Sequence, residues 1–465
     1  RRPTTQPFRI KQIPHRSHMK DLTKGNEALL IFFFAIPMLI GNVFQQMYIV
    51  VDSIVVGQFL GKQSLAAIGA CFPIIFLLIA MVMGLSMGAS ILISQYYGAK
   101  KYVMVKKAID TTYISLFLMS IVMSIVGPFF SYNMLQLMNT PAEILPLAKI
   151  FMDIFFYGLV LMFGYNTVGA VLRAMGDSKT PTIYLIISTI INSVLVLLFV
   201  LVFHWGIAGS GLATLIAQGA SFLGLVWHVN RKENELFHFR PGKMIFDREI
   251  FKKIFLLGLP AGVQQFFVAL GIMAIVRLVN NFGTDIIAGF TAASRLDTFA
   301  LMPSMNLSMA VSTFVGQNIG ANKLKRVHKG LHAGLWMATI FSLVISAVIV
   351  FFGPAMLTIF THDTAVLSAG ARYFHIAGCF YILFSLMFVL SGLFRGAGDT
   401  LMPMILTILS VWLIRVPAAE LLSRRFGPDG IWWSFVVGWG AGLALSVGYY
   451  YTGIWKRFKI VGEKA

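Results

Sequence analysis

The sequence predicts an all-α membrane protein with twelve transmembrane helices in two six-helix lobes, related by a parallel internal repeat. Hydrophobic residues make up 58% of the 465 residues and charged residues 12%, whereas a soluble domain usually has about 25% charged residues. Apolar stretches of about 20 residues recur, and each is long enough to cross about 30 Å of hydrocarbon. Short motifs also occur twice, about 222 positions apart.

The repeat is clearest in two motifs that keep their order in both halves. The first copies are Gln95-Tyr96-Tyr97-Gly98-Ala99 and Arg173-Ala174-Met175-Gly176-Asp177. The second copies are Gln317-Asn318-Ile319-Gly320-Ala321 and Arg395-Gly396-Ala397-Gly398-Asp399. A duplicated bundle of membrane helices is a common transporter plan, with the pathway between the halves.

The apolar runs predict the helices in chain order. They lie at residues 27–56, 64–94, 104–127, 144–170, 180–202, 207–229, 251–280, 286–317, 327–351, 366–392, 403–422 and 430–455. The polar segment 230–250 is a linker between an N-terminal lobe, residues 19–229, and a C-terminal lobe, residues 251–465. Six spans per half return the chain to the same side, so the two repeats are parallel.

Residues 1–18 differ from the rest of the chain, because they are rich in arginine and proline and precede the first apolar run. We interpret them as a leader added for expression, with Met19 as the native start.

The basic residues predict the orientation. Lysine and arginine collect on the side that carries both termini and the linker, so we expect that side to be cytoplasmic. This charge is a topology signal and requires no nucleic-acid partner. The cysteines Cys71 and Cys379 lie in apolar runs and suggest neither a disulfide framework nor a metal site. No phosphate loop or nucleophile motif occurs, so we expect no enzyme, no metal and no cofactor. We expect a monomer in the lipid bilayer.

The first helix carries the most informative polar residues. Asn42, Gln45, Gln46 and Asp52 fall near one face, and no lysine or arginine of that helix lies near Asp52. An ionised aspartate near the bilayer centre costs about 2.5–3.5 kcal/mol on insertion scales. We therefore predict that Asp52 binds and releases a proton, with Gln45, Gln46 and Asn192 as hydrogen-bond partners. The alternative is a structural acid that hydrogen-bonds a neighbouring helix.

Other polar and soft side chains predict a substrate cavity within the N-terminal lobe. The candidate substrate-binding residues are Asn42, Met47, Met87, Asn166 and Gln218. Methionine is polarizable and adaptable, which suits varied lipophilic cations, although packing is the alternative for any single methionine. Pro37 removes one backbone donor from the first helix, which predicts a hinge there.

The C-terminal lobe carries a different set of charges inside its predicted spans. Arg295, Asp297, Arg415 and Glu420 form a candidate network, with Arg295 pairing with Glu420 or Asp297 pairing with Arg415 across helices. A structural network and direct substrate contact are both open from the sequence.

These motifs together resemble the multidrug and toxic compound extrusion (MATE) family. The resemblance rests on Val51-Asp52-Ser53, on the two repeated motifs and on Thr313-x-Val315-Gly316-Gln317, over residues 27–455. It implies twelve helices in two lobes, a V-shaped cleft, and export driven by inward flow of H⁺ or Na⁺. Asp52 matches the first-helix acid of bacterial members. The family's fifth-helix pattern reads Asn192-Ser193-Val194-Leu195-Val196 here and lacks its aspartate. The sequence is therefore more similar to the DinF-like branch than to the Na⁺-coupled NorM-like branch.

The predicted function is secondary multidrug efflux of small lipophilic, often cationic compounds by H⁺ antiport. One alternative is an exporter or flippase for a specific lipid-linked or peptide metabolite, and another is Na⁺-coupled antiport. A non-transporting scaffold or sensor is a third, but such a protein has no evident use for the uncompensated acid Asp52.

Overall fold

The computed structural model describes residues 20–231 and 241–461. The predicted leader, residues 1–18, and residues 232–240 of the predicted linker lie outside the described residues. Helices account for nearly all of the described chain. In chain order they are α1 Glu27–Val55, α2 Gly61–Gly98, α3 Tyr102–Leu137, α4 Leu145–Ala174, α5 Lys179–Val202, α6 Gly206–Arg231, α7 Arg248–Phe282, α8 Thr284–Gly320, α9 Leu324–Leu357, α10 Thr364–Ala397, α11 Leu401–Phe426 and α12 Pro428–Thr452.

The twelve predicted spans are confirmed, and most helices extend several residues beyond the predicted bounds. Within the described residues, eleven continuous segments are long and apolar enough to cross a membrane, and the first of them, Glu27–Gly98, has 72 residues. A π-helical turn at Val56–Leu60 and Gly61, with φ 80° and ψ 177°, divide that segment into α1 and α2. A positive φ of this kind favours glycine, which explains why the turn falls there.

The repeated Arg-x-x-Gly-Asp motif builds the same corner in both lobes. Gly176 and Gly398 end α4 and α10 with φ values of 94° and 102°. The next aspartate then accepts a hydrogen bond from the first turn of the following helix. Asp177 Oδ1 accepts from the Thr180 amide at 3.0 Å, and Asp399 Oδ1 accepts from the Met402 amide at 3.1 Å. The sequence repeat is therefore a structural repeat.

Side-chain caps also start the first helix of each lobe. Asn26 accepts from the Leu29 amide at 3.1 Å at the beginning of α1. Asp247 accepts from the Glu249 and Ile250 amides at 3.1 and 3.2 Å at the beginning of α7. Such caps satisfy amides that have no partner inside the helix.

The lobes, α1–α6 and α7–α12, meet through α1, α2, α7 and α8. Glycines let α2 and α7 approach closely, since a Cβ added to Gly88 would lie 2.4 Å from the Ile254 carbonyl oxygen. The α1–α8 contact is polar instead, with Asn42 Nδ2 donating to Asn306 Oδ1 at 2.9 Å. Large exposed apolar side chains such as Phe129 and Leu137 cover the outer surface, as expected for contact with lipid.

Candidate functional site

Asp52 lies in the last turn of α1, at the end of the N-terminal lobe opposite the described chain ends. Ser210, in the first turns of α6, donates a hydrogen bond to Asp52 Oδ1 at 2.8 Å. The aspartate is half-buried, and its donor is a neutral hydroxyl rather than a cation. The carboxylate can therefore change its charge without breaking an ion pair.

The described residues do not form the expected hydrogen bonds from Gln45, Gln46 and Asn192 to Asp52. Within the described part of the chain, the Asp52 carboxylate accepts from Ser210 instead. Gln45 lies seven residues earlier on α1, which is about 10 Å along the helix axis. Asp52 consequently reaches the start of α6, while Gln45 faces the middle of the lobe.

A polar cavity lies between α1, α5 and α6 in the middle of this lobe. Its volume is about 240 Å³, including the open mouth. The lining brings together three residues that the sequence singled out, Gln45, Asn192 and Gln218, with six that complete the wall: Tyr48, Leu185, Ser188, Thr189, Thr214 and Ala217.

Two amide oxygens in this cavity have no hydrogen-bond donor among the described residues. Asn192 is 2% exposed, and its Nδ2 donates to Thr214 Oγ1 at 3.1 Å, but its Oδ1 is buried and unpartnered. Gln218 Oε1 is likewise buried and unpartnered. Buried polar atoms in proteins nearly always have partners, so these oxygens can accept hydrogen bonds from water or from a bound molecule.

Sequence reasoning missed two residues of this region, Tyr48 and Ser210. Tyr48 lies four residues before Asp52, one helical turn away on the same face, and it lines the cavity. Ser210 lies four residues before Thr214 and extends the polar stripe of Thr214 and Gln218 on α6. The same i, i+4 spacing that revealed the stripe would have found both residues.

The other predicted substrate residues lie outside the lining of this cavity. Asn42 bonds Asn306 at the lobe interface, and Asn166 Nδ2 donates to the Met162 carbonyl oxygen of its own helix at 2.9 Å. Met47 is 51% exposed, and Met87 is half-buried on α2.

The predicted hinge, Pro37, lies inside α1 beside α5. Its carbonyl oxygen accepts a hydrogen bond from Thr182 Oγ1 at 3.0 Å. Proline leaves the helix without one internal hydrogen bond. The contact with Thr182 therefore ties α1 to α5 at the point where the α1 backbone is weakest.

The C-terminal lobe holds its acid in a different way. Asp297 of α8 is 8% exposed, and the hydroxyl groups of Tyr373 and Tyr381, both in α10, donate to its two carboxylate oxygens. Tyr373 and Tyr381 are themselves almost completely buried. Both oxygens of this carboxylate therefore accept from protein donors.

The remaining charges of the predicted C-terminal network separate from one another. The Arg415 guanidinium lies 3.5 Å from the centroid of the Phe435 ring, and its Nε has no partner among the described residues. Glu420 Oε1 forms a salt bridge with Arg424 at 2.8 Å, while Arg295 is exposed. The expected pairing of Arg295 with Glu420 is therefore replaced by a pair one turn apart on α11.

Comparison with known proteins identifies the family. The family model MatE matches residues 37–198 and 260–420, one match in each lobe. The chain belongs to the MATE family. Members of this family are membrane transporters, so the chain is a multi-pass membrane protein.

Curated relatives agree with this assignment. The chain is 32% identical over 435 residues to the probable multidrug resistance protein YoeA of Bacillus subtilis, which covers 92% of this chain and 94% of that protein. It is 33% identical over 451 residues to the probable multidrug resistance protein YpnP of the same organism, which covers 96% and 99%. The fold also matches a solved outward-facing conformation of a multidrug resistance MATE family transporter, with a TM-score of 0.89 at 22% identity, over 95% of this chain and 99% of that one. Membership of the DinF-like branch stays a prediction.

Proposed function

We propose that this MATE protein exports small lipophilic cations in exchange for H⁺, and that Asp52 is the proton-binding acid. The observation that carries the proposal is the position of Asp52, which lies in a membrane helix one turn beyond Tyr48 of the cavity wall and has one neutral hydroxyl as its donor. An acid held in this way is a functional-site hypothesis by default in a membrane protein. The names of YoeA and YpnP support multidrug export as the activity.

The lining of the cavity is suited to a cationic substrate. Its unpartnered amide oxygens, on Asn192 and Gln218, are acceptors that suit hydrogen-bond donors on a substrate. The enclosed space that a water-sized molecule can reach is only about 10 Å³, about one water molecule, and is far below the range of about 300–1,000 Å³ that is typical of sites for drug-sized ligands. The cavity must therefore widen to receive such a compound.

Movement of α1 can supply this change in volume. Gln45 and Tyr48 of α1 form one wall of the cavity, and Asp52 lies farther along the same helix. When Asp52 binds a proton it loses its charge, and α1, weakened at Pro37, bends and shrinks the cavity. Release of the proton restores the charge and reopens the cavity, so proton and substrate exclude one another.

The proton gradient provides the driving force. One elementary charge that crosses 100 mV contributes about 2.3 kcal/mol, and the pH difference adds to this. From the distribution of lysine and arginine we infer that the described chain ends face the cytoplasm. The Bacillus subtilis relatives YoeA and YpnP support a bacterial plasma membrane as the location. We also propose that the transporter functions as a monomer.

The test is the Asp52→Asn variant in proteoliposomes, with uptake of a fluorescent cation driven by a pH gradient. We expect normal folding and no pH-driven transport, because the amide cannot take up a proton. Asp153→Asn is the matched control, since Asp153 is an acid of α4 that already pairs with Lys149, and it should transport like the original protein.

Three outcomes would contradict the proposal. Undiminished transport by Asp52→Asn would remove Asp52 from the coupling step. Transport driven by a Na⁺ gradient at equal pH, and lost without Na⁺, would replace H⁺ as the coupling ion. Transport of a single compound among many lipophilic cations would favour an exporter of one metabolite.

A further inference from the structure

Two short segments close the side of the molecule on which the described chain ends lie. We call residues 20–24, just before α1, the N-segment, and residues 458–461, after α12, the C-segment. They are not copies of one another in sequence, since they read Lys-Asp-Leu-Thr-Lys and Phe-Lys-Ile-Val. They nevertheless make equivalent contacts in the two lobes.

The equivalence rests on the repeated glutamines at the ends of α2 and α8. Gln317 Oε1 accepts from the Leu22 amide at 3.2 Å, and Gln95 Oε1 accepts from the Ile460 amide at 3.0 Å. Gly176 faces the Lys20 carbonyl oxygen, and its repeat partner Gly398 faces the Phe458 carbonyl oxygen. Lys20 is therefore equivalent to Phe458, and Leu22 is equivalent to Ile460. The two residues of each pair are 438 positions apart.

The same two glutamines also join the lobes directly. Gln95 Nε2 donates to the Gly396 carbonyl oxygen of the C-terminal lobe at 3.0 Å. Gln317 Nε2 donates to the Ala174 carbonyl oxygen of the N-terminal lobe at 3.0 Å. Both side chains are 0% exposed. Each glutamine thus satisfies its donor and its acceptor at the boundary between the lobes.

The helix ends that carry these glutamines touch at glycines. A Cβ on Gly98 would lie 1.9 Å from the Gln317 carbonyl oxygen, and a Cβ on Gly320 would lie 2.0 Å from the Gln95 carbonyl oxygen. Helices α2 and α8 therefore meet backbone to backbone at this end of the molecule. The lobes cannot separate here without breaking the glutamine contacts.

Each segment contacts its own lobe at a glycine and also docks on the other lobe. The N-segment precedes α1, yet Leu22 packs with buried residues of α8, and the Leu22 carbonyl oxygen accepts from Asn318 Nδ2 at 3.1 Å. The C-segment follows α12, yet Val461 packs with buried residues of α2, α3 and α4. The two segments consequently cross the lobe boundary in opposite directions.

We propose that Gln95 and Gln317 are positioning residues that fasten the two segments as a latch, and that the latch must release before the lobes open on this side. This inference rests on the alternating-access step of the proposed function. The contacts that must break lie at the α2–α8 crossing. This crossing is far from the end of the N-terminal lobe that holds Asp52. Loss of the latch shifts the population toward the state that is open on this side.

The experiment measures the reaction of one buried cysteine with a maleimide in detergent. Ser94, which is 1% exposed and next to the α2–α8 crossing, is replaced by cysteine in a Cys379→Ser background, because Cys379 is exposed. The native Cys71 is 0% exposed within the N-terminal lobe and reports unfolding. Opening between the lobes exposes residue 94, whereas unfolding exposes both sites.

The variant Gln95→Met/Gln317→Met keeps side-chain length and removes four hydrogen bonds. We expect labelling at residue 94 to become about tenfold faster or more, since each hydrogen bond alters such an equilibrium severalfold, while Cys71 stays unreactive. Gln136→Met is the matched control, because Gln136 is an exposed glutamine of α3, and it should leave the rate unchanged.

A second variant tests the segment itself. Ile460→Pro removes the amide that donates to Gln95 and leaves both glutamines in place. It should accelerate labelling severalfold. Unchanged labelling at residue 94 in both variants would overturn the latch, and equal acceleration at Cys71 would show unfolding instead. Because labelling requires no transport, a failure of the Asp52 coupling proposal leaves this readout unaffected.

Discussion

The two lobes share one architecture, but the surroundings of the acid inside each lobe differ. In the N-terminal lobe, Asp52 is half-buried, accepts from the single hydroxyl of Ser210, and lies one helical turn beyond Tyr48 of the cavity wall. In the C-terminal lobe, Asp297 is 8% exposed, and both of its oxygens accept from tyrosine hydroxyls. The difference separates an acid that can change its charge at low cost from one that organises the packing around it.

The physical reason lies in what each site loses when the charge changes. Neutralising Asp52 weakens one hydrogen bond at the end of a lobe. Neutralising Asp297 weakens two charge-assisted hydrogen bonds inside an aromatic cluster that includes Phe290, Tyr373 and Trp432. Charge-assisted hydrogen bonds are roughly twice as strong as neutral ones. One duplicated scaffold therefore holds a candidate switch in one lobe and a structural anchor in the other.

The largest expected effect is on stability, and it tests this division directly. Asp297→Ala should lower the free energy of unfolding by about 3–5 kcal/mol, because it leaves two tyrosine hydroxyls and Arg415, which interacts electrostatically with Asp297, without their acid. Asp52→Ala should cost about 1 kcal/mol or less. Thermal unfolding in detergent, followed by tryptophan fluorescence, measures both. A larger loss for Asp52→Ala would reverse the assignment of the two acids.

Removal of a single tyrosine hydroxyl sharpens the same comparison. Tyr373→Phe should cost about 1.5–3 kcal/mol, the usual range for a hydrogen bond to a charged group, with little change in substrate affinity. Tyr157→Phe is the control, because Tyr157 is 60% exposed. Equal stability of the two variants in the same thermal assay would argue that Asp297 does not depend on its tyrosine donors.

The first helix of each lobe contains a proline, Pro37 in α1 and Pro260 in α7, so the two lobes can be compared at these positions. Pro37→Ala should slow transport severalfold and leave substrate affinity within about twofold, because it restores a backbone hydrogen bond at the proposed hinge. Pro260 lies at the corresponding place in α7, and Pro260→Ala should change transport less. Transport rates measured in liposomes and substrate affinities measured in detergent test both variants. An unchanged rate for Pro37→Ala would discard the bending of α1 and leave the role of Asp52 open.

The smallest expected effect is that of pH on the latch that Gln95 and Gln317 form with the two segments. Burial raises the pKa of Asp21, but hydrogen bonds from the Thr23 side chain and amide, with Lys24 and Lys323 nearby, lower that pKa by more, so it lies below its ordinary value of 3.8. Asp21 therefore stabilises the N-segment while ionised, and this contribution is lost only as the pH falls through the lowered pKa.

We accordingly expect the labelling of residue 94, corrected for the reactivity of maleimide, to be constant between pH 5 and 8 in the Asp52→Asn background. A change within that range would mean that a group in the latch takes part in proton coupling. Asp21→Asn should weaken the latch slightly at pH 7, which provides the complementary measurement.

Much of this molecule was predictable from local sequence patterns. Hydrophobic runs predicted twelve helices, and the repeated Arg-x-x-Gly-Asp motif predicted a repeat, which the structure shows as two equivalent corners. The sequence singled out polar residues of the first, fifth and sixth helices, and three of them, Gln45, Asn192 and Gln218, line one cavity. These features depend on helical periodicity and on turn chemistry, which a sequence records within a few residues.

The partners of the functional groups required the tertiary structure. Ser210 lies 158 residues from Asp52, Tyr381 lies 84 residues from Asp297, and Ile460 lies 365 residues from Gln95. The equivalence of the N-segment and the C-segment has no counterpart in their sequences. The sequence by itself determined the spans, the repeat and the isolated acid Asp52, because hydrophobic length and charge act locally along a helix. The tertiary structure decided which donors reach each acid and which segments cross between the lobes, because those contacts depend on how rigid helices pack against one another.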